Sequence, residues 1–399
     1  MTHANEQPPG MAAAVRSAAR REWRRIAGSP YLLLMLVVFP LASGALMAGL
    51  FGTGAVRDVP VVAVDLDGSA LSRDFVRMVD ASAGVRVSAS APDMDAAEEQ
   101  VLRGQAYGIV LVPEHFAREV ARGAAPAITA FYNAQFLVPA SQIKTAVSAA
   151  AATLSARVEY ARRAGQEPGP AAAAHVEPVV LDAHALFNEP LSYITYLVTP
   201  LLPTLLQIFI VIAIVQAYGS EARDGTARDW FAAAGGRPWA AVAGKAVPYL
   251  LHFTALAFLM LGVIYGPLGV PFRGSFAVVA WATAVFVLAY VAMGFAFIAV
   301  VGDLRAGGSL AAFYCAPAFA FAGVTFPAEG MPLAGQVWGS LLPVTHYLRI
   351  LVQQAMRAAP AAVSWHSFLA IAAFAVLPWP IVMWRAAHLA RRVSGEADR

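Results

Sequence analysis

The residues best placed to do chemistry are two aspartates at the end of an apolar run, Val61-Val62-Ala63-Val64-Asp65-Leu66-Asp67-Gly68-Ser69. A strand ending in Asp-x-Asp can offer the first carboxylate to a phosphoryl group and use the second as acid or base, with Mg²⁺ neutralising charge. The competing reading is a strand that feeds a turn and a serine-capped helix, with Ser69 and Ser72 as candidate caps. The second reading is favoured, because downstream there is no convincing lysine followed by an acidic pair. Other constellations are missing from the sequence. There is no G-x-x-x-x-G-K-[ST] loop and no G-x-S-x-G elbow. No His/Cys/Asp cluster has metal-ligand spacing.

The aspartate run resembles the nucleophile motif of haloacid-dehalogenase-type phosphatases, with Ser69 where that motif has threonine. Its position just past an apolar anchor speaks against that activity. Among the long apolar runs, polar side chains are few: Gln207, Gln216 and His252. No acid lies at depth beside His252, so it reads as an interhelical hydrogen-bonding group and not a proton relay. The scarcity of buried charge argues against a channel or an ion-coupled carrier.

What must position these residues is a membrane-embedded fold. Of 399 residues, 59% are hydrophobic and 13% charged, about half the charge of an ordinary soluble domain. The 28 basic residues are spread along the chain, leaving no footprint for nucleic acid. The single cysteine, Cys315, excludes an intrachain disulfide.

About six apolar runs approach the roughly 20 residues a membrane helix needs. They are Tyr31–Phe51, Tyr193–Ala217, Val247–Tyr265, Phe276–Val301, Leu310–Phe326 and Phe368–Trp384. The first is too long for the core of a cleaved signal peptide and reads as a retained anchor. The fifth holds Pro317 and is followed by Pro327, Pro332 and Pro343, so this broken stretch is expected to be a re-entrant or interrupted helix, with a re-entrant outer segment after the fifth run. Basic residues set the sidedness. Arg16, Arg20, Arg21, Arg24 and Arg25 precede the first run; Arg223, Arg228, Arg237 and Lys245 follow the second; Arg385, Arg391, Arg392 and Arg399 lie in the tail. These place both termini in the cytoplasm of an inner membrane.

The expected organisation is a cytoplasmic amphipathic helix in 1–30, a first span in 31–51 and an extracytoplasmic α/β domain in 52–190. Five further spans occupy 191–386, with a cytoplasmic loop at 218–245, and a tail fills 387–399. Within 52–190, strands are expected at Val59–Val64, Val85–Val87, Tyr107–Val112, Ala127–Tyr132 and Val176–Leu181. Helices are expected at Leu71–Val79, Asp95–Leu102 (capped by Asp93), Glu114–Val120 and Ala140–Ala164. The basic helix Arg16–Pro30, with Val15, Trp23 and Ile26, suits a membrane interface facing anionic lipid.

Several pieces in order resemble the ABC-2-type exporter permeases with a large periplasmic domain between the first two spans. They are Val61–Ser69, the Phe131-Tyr132-Asn133-Ala134-Gln135 strand and the Glu221-x-x-x-Gly225-Thr226 loop. Gly323-Val324-Thr325-Phe326-Pro327-Ala328-Glu329-Gly330-Met331-Pro332 and Leu342-Pro343-Val344-Thr345-His346-Tyr347-Leu348 complete the set. Arg228 stands where the family often has an acidic residue.

The resemblance implies a transport subunit without its own ATPase, exporting a hydrophobic or amphipathic substrate. It implies two permease copies or paralogues, a cytoplasmic ABC ATPase that binds ATP and Mg²⁺, and a periplasmic adaptor. Arg20, Arg21, Trp23, Arg24, Arg25, Glu221, Gly225, Thr226 and Arg228 would dock the ATPase. Phe326, Pro327, Met331, Pro332, Pro343, His346 and Tyr347 would form the outer gate or re-entrant segment. The competing reading is a membrane-anchored sensor or envelope assembly factor acting through its outer domain.

Overall fold

The structure is a computed structural model that describes residues 10–51, 57–133, 137–164 and 192–395. The expected strand Val176–Leu181 and the Ala134-Gln135 end of the resemblance lie outside the described residues. The chain divides into two compact units, Thr53–Tyr193 and the remainder.

The inserted unit is α/β. Its elements are β1 (Val59–Asp65), β2 (Val85–Ala91), β3 (Gly108–Val112) and β4 (Thr129–Tyr132), in the spatial order β2-β1-β3-β4. β1 runs parallel to both neighbours, and β4 pairs antiparallel with β3. Val59 and Val61 point to one side of the sheet with Val110 and Val112, against Phe75 and the Ile143–Leu154 stretch of the long helix Leu137–Ala164. Val62, Val64 and Ile109 point to the other side, against Ala97 of helix Met94–Leu102. Burial on both faces explains why β1 and β3 read as continuous apolar runs without alternation. Asp93 caps its helix through the Ala96 amide, and Ser69 caps the helix Ala70–Asp80 through the Ser72 amide. The helix expected at Glu114 begins two residues later, at Phe116, because His115 sits at φ 62° in the left-handed region and cannot be its first turn.

The other unit is a helical bundle. Helix α1 (Met11–Ala27) precedes α2 (Pro30–Phe51). Then come α3 (Ile194–Arg223), the short α4 (Ala227–Ala233), α5 (Pro238–Tyr265), α6 (Phe276–Val301), α7 (Leu304–Cys315), α8 (Leu333–Ser340), α9 (Pro343–Leu351) and a terminal stretch, α10 (Ala361–Ser394). Among the described residues, five helices are long and apolar enough to cross a membrane: α2, α3, α5, α6 and α10. The expected run Leu310–Phe326 is not one of them. It ends as a helix at Cys315, because Pro317 has no N–H to extend the ladder, and resumes only as the short turn Ala318–Phe321.

α3 and α6 form the centre, where Gly294 lets the helices close up. A Cβ at Gly294 would lie 2.8 Å from Ile214 Cβ, so the small residue sets the approach distance. Along α2, Leu34, Val38, Phe39, Leu41, Leu46 and Leu50 are exposed, a surface that only lipid or another apolar chain covers. Leu34–Val38 of α2 is a π-helical stretch just before Pro40, in which the Phe39 amide bonds the Leu34 carbonyl five residues back. Within it the Leu36 carbonyl accepts from His252 Nε2 on α5, at 2.8 Å.

Candidate functional site

The densest polar feature lies where α1, the end of α3 and the start of α5 meet. α1 turns Ala14, Ala18, Glu22 and Ile26 inward at four-residue spacing. The two alanines allow close contact with Gly244 of α5, where a Cβ would meet Ala18 Cβ. That approach brings the fully buried Glu22 to the fully buried Lys245, whose Nζ bonds Glu22 Oε2 and stands 2.8 Å from Glu221 Oε1. Tyr249 donates its hydroxyl to Glu22 Oε1 at 2.9 Å.

Glu221, also fully buried, accepts a forked pair of hydrogen bonds from Arg21, at 2.7 and 3.0 Å. Arg25 Nη1 reaches Glu221 Oε1 at 3.0 Å and the Ala217 carbonyl at 3.0 Å. Its Nη2 bonds Ser220 Oγ. Burial works against the charge on Arg21, but the Glu221 carboxylate more than offsets it and holds the guanidinium above its ordinary pKa. Two carboxylates and three cations therefore share one site, with the lone pairs of Glu221 fully engaged.

The loop after α3 completes the arrangement. Gly225, at φ 70°, supplies the left-handed residue that ends α3. The chain then turns back so that Thr226 Oγ1 donates to Glu221 Oε2 at 2.5 Å. This is the physical content of the Glu-x-x-x-Gly-Thr pattern: the glycine makes the turn and the threonine hydroxyl satisfies the glutamate. Trp230 on α4 lies over Lys245, 5.1 Å from ring centre to Nζ, and its indole N–H donates to the Ala241 carbonyl at 3.0 Å.

The expected docking residues thus separate into groups. Arg21, Arg25, Glu221 and Thr226 converge on the ion cluster. Gly225 is exposed on the loop and Arg228 on α4, and Arg20, Trp23 and Arg24 lie on the outward side of α1. Glu22, Lys245, Tyr249 and Trp230 belong to the cluster and escaped the sequence reading as site residues. The legible signal was Glu22 standing in register with Ala14, Ala18 and Ile26 on the inward stripe of a basic helix.

The expected outer-gate residues are spread over several short elements. Pro327 and Pro332 flank the tight turn Ala328–Gly330, Phe326 is exposed and Met331 is buried. Pro343 opens α9, whose Val344 amide donates to the Tyr290 hydroxyl at 3.1 Å. The Tyr347 ring stacks on Phe286 with centres 4.4 Å apart, and its hydroxyl lies 3.0 Å from Thr283 Oγ1. His346 Nε2 donates to the Ser340 carbonyl at 2.9 Å.

The aspartate motif is a structural device. Asp65 Oδ1 accepts from the Asp67 and Gly68 amides at 3.1 and 2.9 Å, and Oδ2 accepts from Ser72 Oγ at 2.8 Å. Asp67 Oδ2 accepts from the Ala117 amide at 3.1 Å. Among the described residues, no group of His, Cys, Asp and Glu is arranged to hold a metal ion.

Residues 30–384 match the family described as ABC-2 family transporter protein. The chain belongs to the ABC-2 transporter family. It is a multi-pass helical membrane protein and the membrane component of an ABC transporter, a class whose ATPase resides in a partner. No curated protein matches the chain at a significant level.

Proposed function

We propose that this chain is the permease subunit of an ATP-driven exporter that moves a hydrophobic or amphipathic substrate out of the cytoplasm or the inner leaflet. The observation that carries the reading is the buried ion cluster. It fastens the amphipathic α1 to the loop after α3, so that a push on that loop moves α1, α3 and α5 together as one body. The loop and α4, with Gly225 and Arg228 exposed, form the docking surface for a cytoplasmic ABC ATPase. Arg21, Arg25, Glu221 and Thr226 hold that surface in place from behind. ATP and Mg²⁺ belong to the partner.

Both termini lie in the cytoplasm of an inner membrane, and the α/β unit faces outward. The distribution of arginine supports this sidedness. The broken stretch from Leu304 to Phe321 supplies a sixth crossing in two pieces, about 27 Å in all at helical rise. The segment through α8 and α9 then re-enters from the outer side. Two copies or paralogues enclose the path, and the α/β unit meets a periplasmic adaptor.

The test is purification of the tagged chain in mild detergent with assay of ATP hydrolysis. The expected result is a co-purifying ATPase whose recovery falls in Glu221→Gln while the permease stays folded. A folded permease with no nucleotide-binding partner and no ATP turnover overturns the reading in favour of a sensor or assembly factor.

A further inference from the structure

The buried cluster consumes only two of the five arginines on α1. Arg16, Arg20 and Arg24 recur at four-residue spacing on the opposite side and are exposed. With Trp23 (42% exposed), Ala19 and Ala27 they line an open groove. Among the described residues, none of these three guanidiniums has an acidic partner or a hydrogen bond. Three uncompensated cations on one stripe, with an indole between them, make a surface complementary to anions.

The depth of the stripe distinguishes between possible anions. His252 touches Leu36, which lies about 9 Å into α2 from Pro30 at helical rise. Lys245 lies about 10 Å back along α5 from His252, so it sits near the level of Pro30. Lys245 holds Glu22. Gly244, next to Lys245, lies against Val15 and Ala18, so α1 from Val15 to Glu22 stays at the boundary where α2 enters the bilayer. Trp and Arg at that depth match the headgroup layer.

We infer that Arg16, Arg20, Arg24 and Trp23 form a binding site for anionic glycerophospholipid headgroups, separate from the ATPase-docking loop. The phosphates pair with the guanidiniums, the arginine stems and the indole rest on the acyl boundary, and the lipid fixes the tilt of α1. The inference rests on the proposed cytoplasmic placement of α1.

The test compares the protein in nanodiscs of phosphatidylcholine alone with nanodiscs containing phosphatidylglycerol, counting retained lipids by native mass spectrometry. The wild type is expected to retain phosphatidylglycerol selectively and to lose the selectivity as salt is raised. The triple variant Arg16→Gln, Arg20→Gln, Arg24→Gln is expected to weaken retention by about a hundredfold at low salt. It should still co-purify with its ATPase. The triple Lys variant, which keeps the charge, is expected to keep most of the selectivity. Equal retention of the two lipids by the wild type overturns the inference. So does a triple Gln variant that keeps its lipids and loses the ATPase, a result that assigns the stripe to protein docking. Absence of any ATPase from the wild type, with lipid selectivity intact, counts against the exporter reading alone.

Discussion

Lys245 Nζ and Glu221 Oε1 stand 2.8 Å apart with both side chains fully buried, and the same ammonium also holds Glu22 of α1. One lysine thus ties together two carboxylates that lie about 200 residues apart in sequence. Removing it leaves two buried negative charges with less compensation. Lys245→Met is expected to destabilise the helical unit by about 3–5 kcal/mol, the usual cost of breaking a buried pair from one side. Thermal unfolding in detergent reads this as a clear loss of melting temperature. Adding Glu22→Gln should recover part of the loss, since the two substitutions share a contact. A single substitution that leaves melting unchanged refutes the central place given to Lys245.

His252 offers a cleaner test of backbone accounting. Its imidazole donates to the Leu36 carbonyl inside the π-helical stretch that precedes Pro40. His252→Ala alone is expected to cost about 1 kcal/mol. Pro40→Ala supplies an N–H at position 40, which serves the Leu36 carbonyl once the stretch returns to α-helical bonding, so in that background His252→Ala should cost close to nothing. A double-mutant cycle on melting measures the coupling. Equal losses in both backgrounds mean that the histidine acts through packing.

The α/β unit and the helical unit were legible to different degrees. Asp93, Ser69 and the apolar runs of β1 and β3 announced themselves because caps and doubly buried strands depend on neighbouring residues. In the Leu310–Phe326 run the break was legible in Pro317, whose effect is on the hydrogen-bond ladder, but hydropathy could not give the helix bounds, which fall at Leu304–Cys315 and Ala318–Phe321. The ion cluster was half legible. Glu221, Gly225 and Thr226 form a local pattern, whereas Lys245 sits in an apolar run and looked like a basic flank. Its partner Glu22 is 223 residues away, a separation at which no local pattern connects the two.

Asp65 decides whether the α/β unit carries catalysis. Its carboxylate closes the turn after β1 through two amides and Ser72. Asp65→Ala is expected to destabilise that unit by about 1–3 kcal/mol, the cost of leaving those donors unserved. Melting followed by near-ultraviolet circular dichroism reports it. The purified chain should hydrolyse no phosphomonoester before or after the change. Mg-dependent turnover that disappears in Asp65→Asn with melting preserved establishes the nucleophile reading instead.

Gly294 tests how closely α3 and α6 must approach. A Cβ there would lie 2.8 Å from Ile214 Cβ and 3.3 Å from the Val211 carbonyl oxygen. Both contacts are on α3, where a β-branched side chain and helix backbone cannot swing aside. Gly294→Ala is therefore expected to destabilise by about 1–3 kcal/mol through overpacking, despite alanine's better helix propensity. Ile214→Ala removes only the Cγ2 contact at 3.0 Å and leaves the nearest atom, the Cβ at 2.8 Å, and the Val211 carbonyl in place, so the double variant should recover little. If Gly294→Ala instead raises the melting temperature, helix propensity outweighs packing, and α3 and α6 have room to move apart.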